Sequence, residues 1–561
     1  GLSDACIVIK SDDVTFSCNG YNITNDGTAF AAGIVIGGNN SVTYENVTIE
    51  NCSLVQGYYI GAYFNYVNSS YGKNLVFKNN SAGLVVRKAN YNNLTNITAY
   101  NNSRGIHFIE STYNNLTQSE AYNNTQEGFY LYDTCSNNRL TYNKAYNNTE
   151  HGFSFNEGAR GTTAIGNNAT ENGLDGFRIN NTDYMSFESN RAVNNTGNGL
   201  TINNTSDPTA THITFTLGVY SDNGGYGAYS DSTTAADFAG CTFSHNTQDG
   251  ARIYDSDSVS FYPYDSSNLL ISEHNSGSGI YFEDSSNFEV TATNPGLGTS
   301  NYVFLRYNAE HGLYTTGSSN GELDGSTMYY ITAHNNTKTG FYLDNPTASD
   351  TSIQMDRLSA SNNSENGIYI RNSNKNSLES SNSHDNTWRG VRIYDSDNNN
   401  ITSTESYLNG EDGFFITSTS TNNRIEDSSS YNNTWMGFKF YDSPSLNNLT
   451  NCSSYNNTQD GFSFASAANE NNILYSESAG NRYGILYNEP SGNNNLKNLT
   501  LYDNQYDFLV YSTGGTFSFE AENVTFTNPT GSLQNYTVLD ITDSISSSET
   551  YYLDWTATSS S

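Results

Sequence analysis

Proline, cysteine, basic residues and long apolar runs are all scarce in this 561-residue chain, and each shortage removes a class of protein. Seven prolines and a 13% aromatic content argue against a disordered, linker-like polymer. No apolar run approaches the roughly 18 residues of a membrane-crossing helix, so the chain as given is expected to hold no membrane span. Lysine and arginine number 23 against 57 aspartates and glutamates, for a net charge of −34. Such a chain repels phosphate backbones, which excludes nucleic acid as a partner. The acidity suits solubility, cation-rich surroundings or a halophilic setting. Apolar residues make up 35%, too few for a broad core but enough for a thin solenoid interior. Of the six cysteines, Cys6 and Cys18 flank the first two strand-like runs and are expected to pair, with Cys52 near enough to compete for either. The spacing of Cys135, Cys241 and Cys452 suits neither a disulfide framework nor zinc, so they are expected as small buried residues. Eight scattered histidines show no metal-ligand spacing, so no cofactor is expected. No signal peptide is visible, and Gly1 reads as a mature or trimmed start with any anchor outside this chain.

What the chain does have is a repeat. Glycines at 83, 105, 128, 152, 176 and 199 recur at steps of about 22 to 24 residues and resume at 367, 390, 413, 437, 461 and 484. Gly227, Gly250, Gly279, Gly312 and Gly340 continue the series at longer intervals. Strand side chains alternate between faces, so residues one and three after each glycine share a face. They read Phe129/Leu131, Phe153/Phe155, Phe177/Ile179, Ile368/Ile370, Val391/Ile393, Phe438/Phe440 and Phe462/Phe464, an aromatic–aliphatic ladder for an interior. Leu94, Leu116, Leu140, Ile401, Ile425, Leu449, Ile473 and Leu496 form a second inward column. A column of small residues follows at Ala99, Ala121, Ala145, Ser406, Ser430 and Ser454, letting a third wall approach closely. Helical periodicity is absent. The pattern predicts an all-β, single-stranded right-handed parallel β-helix (a β-solenoid) of about twenty coils, a rod of about 95 Å at one strand spacing per coil. Residues 1–32 are expected to cap its start with the first coil, 33–504 to carry the repeats, and 505–561 to form a C-terminal cap or tail. Longer intervals predict protruding loops near 203–212, 262–275, 293–303, 315–328 and 344–352.

About 27 Asn-x-Ser/Thr sequons point to an N-glycosylated, extracellular protein. Candidate acceptors are Asn46, Asn93, Asn115, Asn123, Asn147, Asn194, Asn335, Asn400, Asn432, Asn448, Asn456 and Asn498. In the Tyr-Asn-Asn-Thr corners, asparagine tolerates left-handed backbone and stacked amides can bond into a ladder, with one Asn turned in and the other out.

The opening Cys6-Ile-Val-Ile-Lys-Ser-Asp-Asp-Val-Thr-Phe-Ser-Cys-Asn-Gly-Tyr-Asn-Ile-Thr24, followed by Asn46-Val-Thr-Ile-Glu-Asn-Cys52, resembles the first coils of archaeal surface β-helix proteins. The Gly-Φ-x-Φ and Asn-Asn-x-Φ body resembles pectate-lyase-type repeats of carbohydrate-binding proteins and sugar hydrolases. The resemblance covers nearly the whole chain and concerns fold; lyases, hydrolases, epimerases, adhesins and surface-layer proteins share it. It implies that a polysaccharide would lie on the outer face of the first sheet.

Residues two and four after each glycine are expected on that face. Tyr130, Arg178, Arg252, Tyr281, Tyr314, Tyr342, Tyr369 and Arg392 make it a candidate glycan-binding or packing wall, joined by His107, Ser154, Thr201, Phe415 and Lys439. The alternative is that stacked tyrosines simply stabilise an exposed sheet. Acid–base chemistry would need converging carboxylates or a carboxylate–Arg pair. Asp175 with Arg178 and Asp249 with Arg252 come nearest, but they recur with the repeat, whereas a catalytic motif occurs once. Asp255, Asp257, Asp395 and Asp397 offer calcium ligands, against an ordinary turn reading. Asn181-Thr-Asp183 matches one polygalacturonase-like motif without the Gly-His-Gly or Arg-Ile-Lys that should follow. No catalytic residue is assigned. The expected function is a non-enzymatic cell-surface protein (surface-layer, filament or adhesin component) that self-associates. The alternative is a polysaccharide-processing or carbohydrate-binding protein acting on an anionic polysaccharide.

Overall fold

A computed structural model describes residues 5–26, 31–38, 41–205, 213–292, 303–317, 325–345, 352–488, 493–511, 518–527 and 553–557. Among them every regular element is a strand, in a parallel β-solenoid of about 19 turns. No helix among them is long and apolar enough to cross a membrane. The chain divides into two compact units, Gly1–Gly277 and Ser278–Ser561.

In the first unit a typical coil holds three strands, Phe129–Tyr132, Arg139–Thr141 and Lys144–Tyr146. We call the sheets they build the first, second and third walls. Each strand pairs in register with its counterpart one coil on, as Phe129 with Phe153, Leu140 with Ala164 and Ala145 with Ala169. Alternation then buries the same column in every coil. The Phe129, Phe153 and Phe177 rings stack at 4.5 and 4.9 Å with no solvent exposure. The second unit repeats the plan with Phe438–Tyr441, Asn448–Thr450 and Ser453–Tyr455. Phe414, Phe438 and Phe462 stack at 4.7 and 5.3 Å in its interior.

The repeating glycine is required by crowding rather than by backbone angle. A Cβ on Gly152 would lie 2.8 Å from Gly176 O, 2.9 Å from Asn172 Nδ2 and 3.0 Å from the Ala169 methyl. That is why the third wall carries Ala or Ser in most coils, with Phe77, Tyr220 and Phe243 among the exceptions. In the second unit serine adds a bond: Ser454 Oγ donates to Gly461 O at 2.9 Å and accepts from Asn457 Nδ2 at 3.1 Å. The corner beside it holds a buried asparagine ladder. Asn124, Asn148, Asn172 and Asn195 each donate Nδ2 to the next amide oxygen at 2.8 to 3.1 Å, and also to a third-wall carbonyl. The second unit repeats this from Asn386 through Asn409, Asn433 and Asn457 to Asn481.

Strand Ala5–Ile9 pairs with Ala32–Gly37, so the first wall already begins within residues 1–32. Leu553–Ala557 pairs parallel with Ser518–Thr527; Tyr551, Tyr552 and most of 505–561 lie outside the described residues. So do most of the loops expected near 203–212, 293–303, 315–328 and 344–352. The one near 262–275 is a turn in which Asp265 Oδ1 accepts from the Ser267 and Asn268 N–H groups at 2.7 and 2.9 Å.

The expected Cys6–Cys18 pairing is wrong. Cys18 bonds Cys52, with Cα atoms 4.7 Å apart, and Cys6 is free and exposed. The reason is coil geometry. Ser17 pairs with Glu50 on the second wall, which stacks Cys18 one coil from Cys52, whereas Cys6 points outward from the first wall. Cys135, Cys241 and Cys452 are buried thiols, as expected. Cys52→Ser is expected to cost the first coils about 2–4 kcal/mol, while Cys6→Ser costs nothing measurable. Hydrogen exchange of peptides covering residues 5–56 checks both.

Candidate functional site: the outer face of the first wall

The eight wall residues named from the sequence all point outward and are half-buried. In the second unit Tyr281, Tyr314, Tyr342 and Tyr369 form a continuous stack at 4.5, 5.0 and 4.8 Å. Arg392 continues it, its guanidinium 4.6 Å from the Tyr369 ring, and Lys439 lies 5.2 Å from the Phe415 ring. Stacking follows from register: identical positions on adjacent coils sit one strand spacing apart, close to the optimum for offset aromatic pairs. The outer edges of the rings stay accessible along a row of equivalent positions.

In the first unit the wall is more mixed. Tyr130 packs on His107 at 4.8 Å and lies under Arg104 at 5.0 Å. Arg178 reaches His151 Nε2 at 3.2 Å, and Arg252 reaches Asp249 at 3.7 Å. His107, Ser154, Thr201 and Phe415, expected on the open face, are buried instead. Ser154 and Thr201 are small residues whose coil neighbours are larger (Tyr130 and Arg178, then Arg178 and Tyr229). Phe415 lies beneath Arg389, Arg392 and Lys439.

The column just before the repeat glycine has a structural task. In several coils the residue before the glycine presents an acceptor to the backbone of the next coil. His151 Nδ1 accepts from Asp175 N–H at 3.2 Å, Asp175 Oδ1 from Asn198 N–H at 2.8 Å, and Asn198 Oδ1 from Tyr226 N–H at 2.8 Å. His311 and Asp412 accept likewise from Thr339 and Met436 at 3.2 and 3.3 Å. The signal was legible, since Glu, His, Asp and Asn, all acceptors, recur just before the glycine.

Burial and the Arg178 guanidinium lower His151 to about 4, and burial with Lys338 lowers His311 to about 3. A neutral imidazole held below its unfolded value of about 6.5 contributes stability above that pH and loses it on acidification. Between about pH 6.5 and 4.5, wild type is therefore expected to lose about 2 kcal/mol per histidine relative to His151→Gln and His311→Gln, read from denaturant midpoints at each pH. Asp460 works the other way: burial pushes its carboxyl up to about 7, so it favours the fold as pH falls from about 7 toward 4.

The catalytic and calcium candidates serve as coil-to-coil acceptors too. Asp397 Oδ1 accepts from Thr421 N–H and Oγ1, both at 2.7 Å, and Asp395 Oδ1 from Thr419 N–H and Oγ1 at 3.2 and 3.0 Å. Asp183 pairs with Arg160 at 3.1 Å. Among the described residues no three His, Cys, Asp or Glu side chains converge as metal ligands. One charged cluster sits on the second unit's wall. Asp412, its side chain fully buried, lies 3.5 Å from Arg389 and 3.9 Å from Lys439, and Arg389 also pairs with Glu411 at 2.7 Å. Burial raises Asp412 as well.

The sequons occupy two settings. Asn123, Asn147, Asn194, Asn432 and Asn456 are exposed corner residues with φ of 53–57°, each followed by an inward ladder asparagine. Asn46, Asn335 and Asn498 share the left-handed backbone. Asn93, Asn115, Asn400 and Asn448 lie on second-wall strands, with Asn93 directly paired to Asn115. Tyrosines preceding the corners stack outside the third wall, Tyr100–Tyr122–Tyr146 at 4.9 and 4.7 Å and Tyr407–Tyr431–Tyr455 at 4.8 and 4.7 Å.

Solved structures of similar fold include the periplasmic alginate epimerase AlgG, at 10% identity over 69% of this chain and 77% of that one (TM-score 0.28). The Azotobacter vinelandii mannuronan C-5 epimerase AlgE6 A-module is 12% identical over 76% and 91% (TM-score 0.26). The siphovirus 9NA tailspike receptor binding domain is 10% identical over 72% and 74% (TM-score 0.31). No curated protein sequence matches the chain. The model of the right handed beta helix region matches residues 32–179, 157–296 and 298–446, and the chain belongs to that family of right-handed β-helices.

Proposed function

We propose that this is a non-enzymatic, N-glycosylated cell-surface protein of the adhesin kind, which binds carbohydrate along the outer face of its first wall. The observation that carries the reading is the unbroken Tyr281–Tyr314–Tyr342–Tyr369 stack leading into Arg392. Aromatic edges at a constant spacing suit a polymer of repeating rings, and rigid tyrosines lose little entropy on binding. The exposed corner sequons and the likeness of the opening coils to archaeal surface proteins support an extracellular setting. Self-association into a layer or filament belongs to the same reading, through side-to-side packing of such walls.

Glycan-array binding tests it. Wild type is expected to retain polysaccharide, and Tyr342→Ala with Tyr369→Ala to weaken it at least about tenfold, as for central aromatic anchors. Retention unchanged by both substitutions refutes the wall as the binding face. Turnover is the second reading, favoured by Asp460, which burial holds near neutrality beside Lys439 and Arg482.

A further inference from the structure

Most cations on the first wall of the second unit have acid partners, and Arg482, which makes no ion pair among the described residues, is exposed. Lys338 lies 2.7 Å from Glu310, Arg371 3.4 Å from Asp344, Arg389 2.7 Å from Glu411 and Lys439 3.9 Å from Asp412. Arg392 differs. Among the described residues no carboxylate pairs with it; its Nε is buried without a hydrogen-bond partner, as are those of Arg371 and Arg389, but those two have acids beside them. Three rings surround the guanidinium: Tyr369 at 4.6 Å, Tyr394 at 5.3 Å and Phe415 at 5.8 Å. Arg389 beside it adds like charge. A partly desolvated cation is costly without a counter-charge, and ring faces offset only part of that cost. In a chain of net charge −34, a half-buried cation with no carboxylate partner at the end of a tyrosine stack is suited to receive an anion.

We propose that Arg392 and its collar of Tyr369, Tyr394 and Phe415 form a receptor for one anionic substituent of a glycan, a carboxylate or a sulfate ester. The planar fork matches either group bidentately, and the collar excludes water from the pair. This rests on the reading of the wall as a carbohydrate face and names the ligand class at one point of it.

Titration calorimetry of the full chain with three probes tests the assignment: an oligogalacturonate, a sulfated dextran oligomer and a neutral cello-oligosaccharide. Wild type is expected to bind at least one charged probe more tightly than the neutral one, with affinity falling as salt rises. The tighter charged probe identifies carboxylate or sulfate. Arg392→Gln should lower that affinity at least about tenfold and leave neutral binding alone, with Arg392→Lys intermediate. The melting temperature of unliganded Arg392→Gln should hold or rise, because no ion pair is broken. Charged binding that survives Arg392→Gln overturns the proposal. So does a fall in melting temperature with equal loss of charged and neutral binding, which marks a structural cation. Neutral and charged probes bound alike, and lost only in Tyr342→Ala, overturn the receptor while the wall reading stands. No binding by wild type overturns both.

Discussion

Gly437→Ala is expected to cost about 3 kcal/mol, one of the largest effects any single methyl would have in this chain. The added Cβ overlaps Ser454 Oγ and lies 2.7 Å from Gly461 O and 2.9 Å from Asn457 Nδ2. Two of those groups are fixed by coil-to-coil bonds. Ser454 Oγ is tied to Gly461 O, and Asn457 is one rung of the buried ladder. Relief requires moving the first wall away from the third, which breaks the stacking on both sides. Because neighbouring coils share their interfaces, the damage should spread to adjacent coils rather than stay local. Hydrogen exchange across residues 413–484 should show lost protection in several consecutive coils. Protection within 1 kcal/mol of wild type would mean that the walls are less closely packed than described.

Asn433→Leu should be comparably damaging although it keeps the side chain's volume. Asn433 Nδ2 donates to Ser406 O, Ser430 Oγ and Asn457 Oδ1 at 3.1, 3.1 and 3.0 Å. Its Oδ1 accepts from both Asn409 N–H and Asn409 Nδ2 at 3.0 Å. Leucine leaves the Asn409 N–H buried without its acceptor, at about 1–3 kcal/mol, and strips one bond each from Asn409 Nδ2, Asn457 Oδ1, Ser430 Oγ and Ser406 O, so a total near 3–4 kcal/mol is expected after relaxation. Asn433→Asp sharpens the test. A carboxylate would face three acceptors, so the loss should grow as pH rises above the ordinary aspartate range of about 4, through the raised pKa of the buried acid. Denaturant unfolding at acid and neutral pH measures it. A pH-independent loss would contradict the ladder's donor–acceptor order.

The interior was readable from the chain because a strand's two-residue alternation and a constant coil length leave little freedom. Phe129, Phe153 and Phe438 had to stack once each coil closed on itself. Cysteine pairing failed because it depends on the length of the first coil: Cys18 and Cys52 are 34 residues apart, a longer step than the later repeat, while Cys6 lies nearer in sequence but on another wall. The outer face was legible as a list of residues but not as an environment. Alternation places Phe415 and His107 outward, yet only coordinates show larger neighbours covering them. Acceptor side chains recur just before the glycine, but the partners of His151 and Asp175 are backbone N–H groups, which no side-chain pattern records. Arg392 carried no special mark either, since its distinction is the missing acid that Arg371, Arg389 and Lys439 each have.

Those commitments separate binding from turnover. Several acids and imidazoles weighed as catalysts are acceptors for the next coil, and under the proposed function the tyrosine stack and its arginine hold the ligand. The most direct measurement is prolonged incubation of wild type with a polysaccharide it retains, from about pH 4 to 8, followed by mass spectrometry of the polymer. The polymer is expected back at full length and with unaltered stereochemistry. Unsaturated ends, new reducing ends or epimerised residues, abolished in Asp460→Asn, would show that the wall carries out chemistry and would contradict the proposed function.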